Sequence, residues 1–470
     1  MTTIRTPMPH NAWYAILIFT IFSSGLRAQD LKTERGINQA LLKVIKGDIE
    51  EKYLDTASYS PKIEESYERA NELIGKSSST NEMERIIALF IVELNDSRIF
   101  FVPRVTNVDV DYQWSLNLIG GRVFITDLDV KSDAYAKGLR AGDQIYSVDD
   151  YILSRESFWK MKYVYDVISP QGLLKLIIVK PSGHKYAVEV KSKVVVSNVL
   201  EDASLTSNRN HVIPDETTFK EKSNTRFYEK IEGLIICRLP TFFTQPFSVK
   251  RLIEKAKNNA LILDLRGADG IDEKIWELRI RLNRKTWSYL PPEFDERTID
   301  HDDGDLETLK RLAAFFFGAG LKIGELRGKK NSDRLTAGPQ LDGKFTGRLV
   351  VLVDSETSGA AEVFARLVQT QNLGTVVGDL TAGRFVKSEF LTHASWVTFG
   401  SPFGLQVPVA EIVMNGNERL NGKGVVPDQV VLPSPTDVQK LQDPVIARAA
   451  GILGFKITLE DTGAILASLK

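Results

Sequence analysis

Across residues 30–99 apolar residues recur every three or four positions on a charged background. Leu41, Leu42, Val44 and Ile45 form one stripe; Ile86, Ile87, Leu89, Phe90, Ile91 and Leu94 form another. That period predicts amphipathic helices packed as a small bundle. Ser77-Ser78-Ser79-Thr80-Asn81, with Glu82 and Glu84 just beyond, predicts a break and a fresh helix start. Over residues 108–193 the pattern becomes strand-like. Val123-Phe124-Ile125 and residues 174–179 read as strands, and Pro181-Ser182-Gly183-His184 as a hairpin turn into residues 186–190. Residues 196–228 are polar and turn-rich and read as an inserted loop. Beyond them a strand over 233–239, a helix over 246–258 and a strand over 260–265 begin the alternation of an α/β core. The charged stretch 293–307 contains Asp300-His301-Asp302-Asp303-Gly304-Asp305 but lacks the other ligand positions of a calcium loop. It reads as a solvated excursion.

Ahead of the bundle, Arg5 stands in a polar lead. The apolar run Ala12-Trp13-Tyr14-Ala15-Ile16-Leu17-Ile18-Phe19-Thr20-Ile21-Phe22 and the small-residue exit Leu26-Arg27-Ala28 follow. This order reads as a cleaved secretory signal over residues 1–28, with an uncleaved anchor as the alternative. The run is shorter than the ~20 residues a membrane span needs, so no stable span is expected after cleavage. The expected location is outside the cytoplasm, periplasmic or extracellular.

The 470 residues are 43% hydrophobic and 26% charged, ordinary for a globular chain and long enough for several domains. Lys+Arg at 60 against Asp+Glu at 61, with no long basic run, argues against nucleic acid as a partner. The single cysteine, Cys237, lies in an apolar strand. It excludes an intramolecular disulfide and any zinc site built on several thiolates. No metal or cofactor is expected.

Within the strand-like region stands Ala134-Tyr135-Ala136-Lys137-Gly138-Leu139-Arg140-Ala141-Gly142-Asp143-Gln144-Ile145-Tyr146-Ser147-Val148-Asp149. A short helix ending at glycine, a tight turn and a strand are its physical content. The string resembles PDZ domains, which hold an extended peptide end by adding a strand to a sheet edge. The resemblance implies peptide contacts at Leu116 and Leu118. A PDZ used only as an internal gate or spacer is the other reading.

Three later stretches recur together in one family. They are Leu263-Asp264-Leu265-Arg266-Gly267-Ala268-Asp269-Gly270, then Val350-Val351-Leu352-Val353-Asp354-Ser355-Glu356-Thr357-Ser358-Gly359-Ala360-Ala361-Glu362, then Thr375-Val376-Val377-Gly378-Asp379-Leu380-Thr381-Ala382-Gly383-Arg384. Asn421-Gly422-Lys423-Gly424-Val425-Val426-Pro427-Asp428 closes the set. Together with the PDZ-like string, the chain resembles the C-terminal processing peptidases, or tail-specific proteases. That resemblance implies a crotonase-like α/β peptidase core with an inserted, β-rich PDZ domain and an N-terminal helical domain. The expected bounds are 29–105 for the helical domain, 106–195 for the PDZ, 196–440 for the core and 441–470 for a C-terminal helical segment.

The family implies a serine at a strand-to-helix turn and a base, either a lysine after glycine or a histidine from the helical part. Backbone N–H groups form its oxyanion hole, here implied at Gly267, Gly270 and Ala360. This chain departs at each station. Gly359 occupies the nucleophile position, and Ser358, the nearest hydroxyl, is one residue early. One residue at a helix start is ~100° of rotation and ~1.5 Å of rise. Ser358 is therefore either a displaced nucleophile or simply the helix N-cap. Arg384 occupies the lysine position and Arg98 the histidine position, and a guanidinium does not act as a base near neutrality. Ala268 stands where the family has asparagine, and Ile271 where it often has glycine. The expected function is an exported, catalytically impaired homologue that binds unfolded polypeptides or C-terminal peptides. The alternative is an active serine endopeptidase cutting near exposed C-termini through Ser358.

Overall fold

The computed structural model describes residues 11–54, 56–102, 108–149, 151–196, 225–240, 242, 246–268, 301–339, 343–393 and 403–469. Helices α1 (Asn11–Lys52), α2 (Thr56–Lys76) and α3 (Thr80–Glu93) lead the chain, followed by strand β1 (Phe100–Val102). The break falls where the polar run predicts it: the Ser79 side chain caps α3 by accepting from the Glu82 N–H. Leu42, Ile45, Ile87 and Ile91 meet in one fully buried cluster, as the three-to-four spacing requires. Among the described residues no helix is long and apolar enough to cross a membrane.

A β-rich module comes next. Strands β2 (Val108–Asp111), β3 (Trp114–Ile119) and β4 (Arg122–Leu128) precede helix α4 (Asp133–Ala136). Strands β5 (Gln144–Val148) and β6 (Tyr151–Ile152) lead to helix α5 (Phe158–Lys162), which continues as a π-helical turn over Tyr163–Ile168. Strands β7 (Leu173–Val179), β8 (Lys185–Lys191) and β9 (Lys193–Val196) complete the module. Its sheet runs β3-β4-β5-β7-β8, with β6 paired to β5, so β3 is an edge strand; β2 and β9 pair separately. Val123, Ile125, Ile145, Leu174, Leu176 and Ile178 alternate into its core.

The last part holds strand β10 (Arg226–Ile231), strand β11 (Leu234–Arg238), helix α6 (Pro246–Ala256) and strand β12 (Ala260–Asp264). Helix α7 (His301–Phe317), strands β13 (Lys322–Gly328), β14 (Ser332–Thr336) and β15 (Leu349–Val353), and helix α8 (Ala360–Thr370) follow. The chain ends with strands β16 (Gly374–Gly378), β17 (Val386–His393), β18 (Phe403–Met414) and β19 (Gln429–Val430), then helices α9 (Pro435–Gln439), α10 (Pro444–Ile452) and α11 (Leu459–Leu469). The stretch expected as a solvated excursion is corrected at its end: from His301 it is helix, because Leu306, Leu309, Leu312, Ala313 and Phe316 recur at helical spacing and are buried.

Strands β11, β12, β15, β16 and β19 are parallel and adjacent in chain order, with β10 antiparallel at one edge. Their near-continuous apolar residues are buried on both faces, as a covered parallel sheet demands. Helices α6, α7 and α8 pack on one face and α10 and α11 on the other. Gly378 sits at the end of β16 because a Cβ there would stand 1.9 Å from the Val353 carbonyl. A second sheet is built on β18. One edge carries β1 on its first half and β13 on its second, and β17 covers the other edge.

Candidate functional site

The parallel strands end in loops on one side, and the turn after β15 is the centre of that side. Asp354 heads it. Its Oδ1 accepts the N–H groups of Gly267 at 2.9 Å, Glu356 at 3.1 Å and Thr357 at 2.9 Å. The Thr357 hydroxyl donates to the Leu265 carbonyl at 2.9 Å and accepts the Asp354 N–H at 3.0 Å. Burial pushes the Asp354 carboxyl up, against the pull of these donors. The turns after β12 and β15 are thereby pinned together.

Gly267 was expected as an oxyanion donor, but its N–H is committed to Asp354, because a buried carboxylate must find donors. Ala268 is buried beside it, and its carbonyl accepts the Ser358 N–H at 3.5 Å. Gly270 and Ile271 lie outside the described residues. Ala360 opens α8, where the first N–H groups have no intrahelical acceptor.

The cap of α8 is Gly359, which corrects the expectation of Ser358 as N-cap. Gly359 has φ 60° and ψ −128°, a backbone that side-chain-bearing residues enter only with strain. A Cβ built there would have no atom of the described residues within 4 Å. Glycine takes this conformation freely, and Glu362 returns to accept the Gly359 N–H at 3.1 Å. Ser358 is 4% exposed, and its hydroxyl has no partner among the described residues.

Glu362 gathers the site. Its Oε2 also accepts the Arg384 N–H at 2.8 Å; its Oε1 accepts the Gly383 N–H at 2.7 Å and the Thr381 hydroxyl. The backbones of Gly359 and Arg384, the expected nucleophile and lysine positions, thus meet on one carboxylate oxygen. Burial drives the Glu362 carboxyl up to about 7, with its donors and the Arg384 charge pulling the other way.

Arg98 is engaged differently. Its Nε donates to Asp96 Oδ1 at 2.5 Å and its Nη2 pairs with Oδ2, while the Tyr53 hydroxyl donates to Asp96 at 2.6 Å. Burial opposes ionisation of Asp96, but Arg98 and Tyr53 hold its carboxyl below the usual range. Two residues on, Phe100 pairs opposite Gln406, whereas Val386, two residues after Arg384, pairs opposite Glu411. The two arginines therefore approach the sheet at different points along β18.

Leu116 and Leu118 both lie on edge strand β3. Leu118 pairs with Val123 one step from the turn-closing pair Ile119 and Arg122, so its carbonyl points away from β4. That carbonyl accepts the Ser355 hydroxyl at 2.5 Å. The Gly120 N–H donates to Asp379 Oδ2 at 2.8 Å, and Arg155 Nη1 donates to the Leu380 carbonyl at 3.0 Å. The free edge of the β-rich module thus ends on the turn that leads into α8. Sequence reasoning missed Ser355, Arg155 and Asp379. Their partners lie more than 200 residues away along the chain, and no local pattern marks such pairs.

Residues 236–431 match the model of peptidase family S41. The crystal structure of mature CPAF is 13% identical, with 86% of this chain and 94% of that one covered and a TM-score of 0.59. Mature CPAF complexed with lactacystin is 12% identical, with 93% and 99% covered and a TM-score of 0.58. The photosystem II D1 C-terminal processing protease is 16% identical, with 85% and 93% covered and a TM-score of 0.44. The two CPAF structures share this chain's fold.

Proposed function

We propose that the chain, whose residues 236–431 match peptidase family S41, is a member of that family and of the C-terminal processing peptidases, and that it binds unfolded or C-terminal peptide segments without cutting them. On this reading residues 1–28 export it, the β-rich module is a PDZ domain, and the core is a crotonase-like peptidase that has lost its chemistry. The single observation that carries it is Gly359: the helix start keeps the strained backbone and open space of a nucleophile turn but bears no hydroxyl. Arg384, held by its N–H on Glu362, brings a permanent cation where a proton acceptor is needed. The β3 edge supports peptide capture, since an extended segment pairing along it is led to the turn at Ser355.

The test is incubation of the protein with an unstructured peptide ending in apolar residues, read by binding and by mass spectrometry. Binding without cleavage is expected. Cleavage abolished by Ser358→Ala overturns the reading and establishes a serine endopeptidase instead. The double change Gly359→Ser, Arg384→Lys is expected to bring hydrolysis into view, because a hydroxyl would then face open space beside the Ala360 N–H.

A further inference from the structure

Edge strand β3 is not open along its whole length. Ile125 on β4 donates its N–H to the Asp143 carbonyl and accepts the Gly142 N–H, both on the side away from β3. Leu116, opposite Ile125, and Leu118, opposite Val123, therefore aim their backbone groups outward. Those are the groups an added strand would use. The core already holds one of them, because the Ser355 hydroxyl donates to the Leu118 carbonyl at 2.5 Å.

The surroundings fix that contact. Ser355 is buried, and just beyond Leu118 the Gly120 N–H is held by Asp379 at 2.8 Å. Arg155 ties the same core loop through the Leu380 carbonyl at 3.0 Å. The residue after Ser355, Glu356, reaches Lys162 on α5 at 3.9 Å, and α5 shares an apolar cluster with Leu118 through Phe158 and Met161. Two consecutive residues of the turn after β15 thus meet β3 and α5. Among the described residues, the Leu116 N–H and C=O and the Leu118 N–H remain for a partner.

We infer that Ser355 is a specificity-determining residue: it stops strand addition at Leu118, so that a bound peptide makes one full backbone pair with β3, at Leu116, and then leaves the sheet at the head of the turn into α8. This deepens the proposed reading and rests on it. The occupant is an extended peptide end, since so short an edge suits neither a long strand nor the sheet edge of a second copy. Antiparallel addition is the more stable pairing. In it the peptide residue opposite Leu116 donates its N–H to the Leu116 carbonyl and accepts the Leu116 N–H. The residue two positions earlier in the peptide accepts the Leu118 N–H, but its own N–H finds the seat on the Leu118 carbonyl filled by Ser355.

An N-methyl scan of the apolar-ended peptide tests the stop, with each peptide N–H blocked in turn and affinity read by fluorescence anisotropy. In the wild type, methylation of the donor to Leu116 is expected to weaken binding about fivefold or more, and methylation two positions earlier by less than about twofold. In Ser355→Ala the earlier position is expected to become sensitive too, because the Leu118 carbonyl is then open. Should that variant not fold, the wild-type scan alone decides. Two sensitive positions two residues apart in the wild type overturn the stop and leave the peptide-binding reading standing. An unchanged scan in Ser355→Ala overturns the role of Ser355, and a flat scan with peptide bound overturns β3 as its seat. No binding of the unmethylated peptide overturns the reading, and the stop falls with it.

Discussion

The turns that follow β12 and β15 are neighbours, both headed by an aspartate, yet they are finished differently. After β12 the described charges answer one another. The half-buried Arg266 takes both oxygens of Asp264 at 2.8 Å and reaches Asp443 at 2.8 Å, and Asp443 in turn caps α10 through Val445 and Ile446. After β15 the scaffold is equally complete around Asp354, and Glu362 holds the Gly359 N–H, but the tip at Ser358 and Gly359 bears no charged side chain. The two turns are thus finished differently: an ion-paired cluster closes the one after β12, whereas hydrogen bonds onto Asp354 and Glu362 shape the one after β15.

The strongest way to break this comparison is at Arg266. Arg266→Met leaves Asp264 and Asp443 as buried carboxylates without their cation, and is expected to cost about 3–5 kcal/mol in denaturant unfolding. A loss below about 1 kcal/mol would mean that the closed turn is no more essential than the open one.

The next effect is a pH dependence. The Glu362 carboxyl is raised in the folded protein, so its contribution is fully present below about 4.5 and is lost as pH rises towards about 7. The span corresponds to about 3 kcal/mol at most. Unfolding curves across this range are expected to show stability declining with pH, with the decline reduced in Glu362→Gln.

Gly359→Ala probes the turn itself. No atom of the described residues crowds the added methyl group, so backbone strain at φ 60° sets the cost, about 1–3 kcal/mol. A neutral result would show that the turn relaxes and is not held by its scaffold.

Smallest of all is Ser358→Ala. Its hydroxyl has no partner among the described residues, so thermal stability is expected to shift by no more than about 0.5 kcal/mol and peptide binding to stay unchanged. A large loss would give Ser358 a role that its surroundings do not explain.

Much of this was legible in the chain. The break before α3 and the strands at β7, β8 and β12 follow from consecutive residues, since period and turn chemistry are local. The cap of α8 was misread by one residue because Ser358 has the usual capping side chain. Glycine at a positive φ, with the acceptor supplied by Glu362 from inside the helix, took its place.

By itself the sequence determined the order of helices and strands and the buried faces, because each is written in neighbouring residues. Tertiary structure alone decided that Ser355 would meet Leu118, that Arg266 would close on Asp443, and that one carboxylate would bind the backbones of both Gly359 and Arg384. Those pairings arise when distant segments bury their polar groups together and must satisfy one another out of water, a demand that no single stretch of chain expresses.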